Sequence, residues 1–68
     1  MAVPYRLTPD EIKIIDLLSQ GTQAKVIADV MGVTKHAVDY RVRGMMAAMN
    51  VNSAAGIVGK AFRQGIIQ

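Results

Sequence analysis

Cysteine is absent from this chain of 68 residues, and histidine occurs once, as His36. The first absence removes disulfide cross-links and thiolate-held metals. The second removes an ordinary zinc site and a Ser/His/Asp triad. No Gly-rich phosphate loop is present, no nucleophile stands beside a base, and the carboxylates fall at helix ends or on exposed faces, so no catalytic constellation can be assembled. No cofactor, no metal and no enzymatic activity are expected. There is also no run of about 18 apolar residues and no basic segment leading into an apolar one. Neither a membrane span nor a signal peptide is therefore expected, and the cytoplasm is the expected location. The basic residues are spread over three helical segments, unlike the single charged face of a membrane-surface helix.

Acidic residues are scarce, with five Asp and Glu against eight Lys and Arg, for a formal charge of +3 and a pI near 9.7. The imbalance is uneven along the chain. Residues 1–19 hold Arg6 and Lys13 against Asp10, Glu11 and Asp16, whereas residues 20–68 hold Lys25, Lys35, Arg41, Arg43, Lys60 and Arg63 against only Asp29 and Asp39. A basic C-terminal two-thirds points to a polyanionic partner. The length allows one domain, which buries only about 60% of its unfolded surface and has a small core.

Helix signals delimit four segments, over about 9–20, 23–31, 35–49 and 54–64, in an all-α domain of residues 7–68 preceded by a short arm, residues 1–6. The first opens on Thr8-Pro9-Asp10-Glu11, a capping box with proline at the first helical position. Ile14, Ile15 and Leu18 form its apolar stripe, and Gly21 stops it. The second turns Ile27, Ala28 and Met31 inward and ends at Gly32. Thr34 caps the third, whose inward stripe is Val38, Val42, Met45 and Met49. Its opposite face carries Lys35, His36, Asp39, Tyr40, Arg43 and Ala47, and Asn50 ends it in the left-handed conformation. Asn52-Ser53 caps the fourth, with Ile57, Val58, Ala61 and Phe62 as its apolar residues and Gly65-Ile66 closing it.

Gln23 to Arg43 is the informative unit. Two helices joined by the tight Gly32-Val33-Thr34 turn, with the small Ala28 inside the first, meet the requirements of a helix-turn-helix. Val33 and Val38 are expected to plug the angle between them. The matching residues are Leu7-Thr8-Pro9, Glu11, Ile14-Ile15, Leu17-Leu18, Gly21, Lys25, Ile27-Ala28, Met31-Gly32-Val33, Val38, Met49, Val51 and Gly65-Ile66. Through their joint spacing the chain resembles the LuxR/GerE-type DNA-binding domain along nearly all of its length.

The resemblance implies a bacterial or phage transcription regulator, free-standing as some members are, and nucleoid-associated when bound to double-stranded DNA. It implies that the third helix enters the major groove and the fourth forms a two-fold homodimer. Carried over by position, Asp39, Tyr40 and Arg43 face the bases, with Arg43 suited to guanine. Lys25, Lys35, His36 and Arg41 stand toward phosphates. The fourth helix is rich in small residues, and Ala55, Gly56 and Gly59, with Phe62, are the expected dimer contacts.

Several positions depart from the family pattern. Asp39 stands where a lysine or another non-acidic polar residue is usual, Ala37 replaces a threonine and Ala54 an arginine. Phosphates repel a carboxylate unless it accepts from a cytosine amino group or pairs with Arg43 at i, i+4. Ile12, Val26 and Val30 are apolar where the family has polar surface, which makes a protein-binding patch. These departures define the alternative: a non-enzymatic interaction protein of the same fold that binds, and antagonises or assists, another transcription regulator.

Overall fold

The computed structural model describes residues 7–67, so the expected arm of residues 1–6 lies outside the described residues. Four helices follow in order: α1 (Pro9–Ser19), α2 (Ala24–Met31), α3 (Lys35–Met49) and α4 (Ala54–Arg63). Their ends agree with the sequence signals to within one residue, because those signals are hydrogen bonds made locally. At α1, Thr8 Oγ1 accepts from the Glu11 amide at 3.2 Å while the Thr8 amide donates to Glu11 Oε1 at 2.9 Å. The Ala37 amide donates to Thr34 Oγ1 at 3.1 Å at the start of α3, and the Gly56 amide donates to Ser53 Oγ at 3.0 Å at the start of α4. Only α2 starts without a side-chain cap, at Gln23.

All four helices close in the same way. The amides of Thr22, Val33, Val51 and Ile66 reach back to the carbonyls of Leu17, Ala28, Met46 and Ala61 at 2.9 to 3.1 Å. Each closure pivots on a left-handed residue, namely Gly21, Gly32, Asn50 or Gly65. Such a paired closure satisfies carbonyls that would otherwise be orphaned at the helix end. At Gly32 the reversal sets the angle between α2 and α3. Nothing lies within 4 Å of a Cβ built there, so its φ of +69° rather than crowding selects glycine.

The core draws Ile14 and Ile15 from α1, Ile27 and Ala28 from α2, Val38, Met45 and Met49 from α3, and Ile57 and Ala61 from α4, with Ile67 closing it. α3 packs on α2 and α4, while α1 packs on α4 and α2. The inward stripe expected for α3 is the one that is buried, with Val42 half-buried at its edge. One expectation fails. Val33 does not plug the helix angle but is 46% exposed, because Gly32 turns the chain outward there, and only Val38 enters the core. With so few residues holding α3, its cap is expected to count: Thr34→Ala should cost about 0.5–2 kcal/mol. For a domain of this size, thermal melts followed by circular dichroism should show a drop of about 4–8 °C per kcal/mol. An unchanged melting temperature would mean that solvent replaces the cap.

Candidate nucleic-acid interface

Burying Val38, Met45 and Met49 leaves the other side of α3 facing solvent. His36, Tyr40, Arg41 and Arg43 line one open depression there, together with Thr34, Ala37, Gly44 and the acidic Glu11 of α1. Tyr40 is 70% exposed, a large aromatic side chain left open to solvent on this face. Arg41 and Arg43 make no hydrogen bond or salt bridge among the described residues. The result is an exposed aromatic ring flanked by two guanidinium groups that form no salt bridge among the described residues. Lys25 stands apart, exposed near the start of α2.

Lys35 and Asp39 form a unit of their own. Lys35 Nζ donates to Asp39 Oδ2 at 2.8 Å, with the two side chains 61% and 35% exposed. The anticipated partner, Arg43, is not the one used. Helical side chains lean toward the N-terminus, which carries the Asp39 carboxylate over the turn that holds Lys35. The Lys35 hydrogen bond holds the Asp39 carboxyl below the usual carboxylate range. Partial desolvation works against that shift, and the charges of Lys35, Arg43 and His36 assist it. Asp39 is thus an anion at neutral pH, and its neighbour's charge cancels its own. Lys35, expected to serve a phosphate, has its ammonium engaged within the helix.

Two features of this face were not read from the sequence. Gly44 lies in the middle of α3, where glycine weakens a helix by about 1 kcal/mol, and a Cβ there would meet nothing within 4 Å. Internal packing therefore gives no reason for the glycine, and its signal was available as an unexplained glycine inside a helix. The second feature had no local signal. Lys60 Nζ donates to the Met49 carbonyl at 2.7 Å, a link across eleven residues that caps the negative end of α3 from α4. Lys60 is thereby tied to an internal carbonyl.

On α4, Ala55 is exposed, Gly59 half-buried and Phe62 61% exposed, at helical spacing along one side. Gly56 is different. A Cβ there would stand 3.0 Å from Val51 Cβ, so its small size serves close packing within the chain. The apolar patch expected from Ile12, Val26 and Val30 is divided. All three are exposed, but Val30 lines a groove with Val33, Met31 and Pro9, rimmed by Asp10, Lys13 and Arg41, which neither Ile12 nor Val26 enters. No cluster of His, Cys, Asp or Glu able to hold a metal occurs among the described residues, and no helix among them is long and apolar enough to cross a membrane.

A family model described as bacterial regulatory proteins, luxR family, matches residues 5–61. Two curated proteins are similar to the chain over 61 residues. The HTH-type transcriptional regulator AlkS of Pseudomonas putida is 33% identical, and that of Ectopseudomonas oleovorans is 36% identical. Each alignment covers 90% of this chain but only 7% of the relative. No solved structure gives a significant match.

Proposed function

Because the chain belongs to the luxR family of bacterial regulatory proteins, we propose that it is a sequence-specific DNA-binding regulator of transcription. α3 lies in the major groove, where Asp39, Tyr40 and Arg43 meet base edges. His36, Arg41 and Lys25 meet phosphates, which fix register without reading sequence. The observation that carries this reading is the outward face of α3: Arg41 and Arg43 stand without a hydrogen bond or salt bridge among the described residues, beside an exposed Tyr40. The missing Cβ of Gly44 on the same face suits close approach to a duplex.

Two copies pair through the side of α4 that carries Ala55, Gly59 and Phe62, an exposed aromatic residue that a second copy would cover. Such a pair sets two α3 helices on half-sites about one helical turn apart. The test combines solution mass with selection from random duplex DNA at two salt concentrations. A dimer recovering a palindrome is expected, with affinity falling steeply as salt rises, because each phosphate contact releases counterions. Affinity unchanged between about 50 and 200 mM salt would overturn the reading.

A further inference from the structure

The Lys35–Asp39 pair runs against the electrostatics of the helix that carries it. Lys35 is the first residue of α3, where the positive end of the macrodipole disfavours a cation. A base four residues before an acid is also the weaker order for an i, i+4 pair. Helix stability therefore gives little reason for this arrangement, and departures from local rules are expected at functional or strained sites. The pair stands one helical turn before Arg43, next in sequence to Tyr40.

Its geometry commits one carboxylate oxygen and frees the other. Lys35 takes Oδ2, while Oδ1 accepts no hydrogen bond among the described residues. An ionised carboxylate only accepts. In the major groove, guanine presents two acceptors, thymine an acceptor and a methyl group, and adenine an acceptor beside its donor. Cytosine alone presents an amino donor with no acceptor beside it. Resting on the reading of α3 as the groove helix, we propose that Asp39 selects a cytosine at one position of each half-site. Lys35 is its positioning residue: it holds the carboxylate in place and cancels its charge against the phosphates. Arg43 follows Asp39 by ~6 Å along the helix axis, so the guanine it reads lies roughly two base-pair steps from that cytosine.

The test is selection from random duplexes by the full chain and by Asp39→Asn, Asp39→Ala and Lys35→Met, each checked for unchanged helicity. In wild-type sites one position should be cytosine, with other bases there binding about tenfold more weakly. Asp39→Asn should move that position to adenine, whose N6 and N7 an amide can bridge, and leave the others unchanged. Lys35→Met should reduce the discrimination at the cytosine. A lysine serving only a phosphate would instead weaken all sequences evenly and lower the salt slope by about one, which would overturn its positioning role. Identical sites for wild type and Asp39→Asn would overturn the cytosine assignment while DNA binding stands, as would Asp39→Ala tightening all sequences alike. A wild type that selects no motif removes the underlying reading, and the proposal falls with it.

Discussion

Arg43→Ala is expected to lower affinity for the preferred duplex by about 1–3 kcal/mol, or about 5- to 150-fold, and to relax specificity at one base pair. The guanidinium has no hydrogen bond or salt bridge among the described residues, so its removal should leave folding intact. Its planar fork matches the two acceptors of guanine, a geometry that lysine lacks. Arg43→Lys should therefore keep the salt dependence and lose the discrimination. Anisotropy titrations against the preferred duplex and its single-base variants separate these effects. If Arg43→Ala weakened every duplex equally, Arg43 would be a phosphate contact and the base assignment would fail.

The second large effect lies on the opposite side of the same helix. Met45 is fully buried, directly behind the exposed face of α3. Met45→Ala should cost about 2–5 kcal/mol through lost burial and the cavity left behind. A domain this small has roughly 3–10 kcal/mol in total, so the variant should be largely unfolded near 37 °C. Urea unfolding is expected to show a lowered midpoint with the slope retained. Met45→Leu, close in volume, should cost less than about 1.5 kcal/mol. Equal losses in the two variants would mean that packing density at this position does not decide the stability of α3.

The helices were legible because what starts and stops them is local. The Thr8–Glu11 box, the Thr34 and Ser53 caps and the left-handed Asn50 each act within a few residues of chain. The buried stripe of α3 was legible for a similar reason: helical spacing puts Val38, Met45 and Met49 on one side whatever packs against them. Membership in the luxR family was legible from the joint spacing of these same residues.

The reading surface was legible only in outline. Spacing placed Asp39 within reach of both Lys35 and Arg43, and the folded side chains chose Lys35. Gly56 has Val51 packed against it, a reason for glycine within the chain that helical spacing does not display. Phe62 and Val33 could have been core by composition, yet both are exposed. The Lys60 link to the Met49 carbonyl depends on how α4 docks against α3, which no short stretch of sequence encodes.

The missing cysteines by themselves excluded disulfide cross-links and thiolate-held metals, and the caps and spacing determined four helices in a helix-turn-helix order. Those properties depend on contacts within about four residues, which a sequence displays directly. Only the tertiary structure decided that Lys60 reaches the Met49 carbonyl and which apolar residues remain outside. Each of those outcomes is a choice among partners that spacing alone allows, and it is made by where side chains lie once the helices have packed.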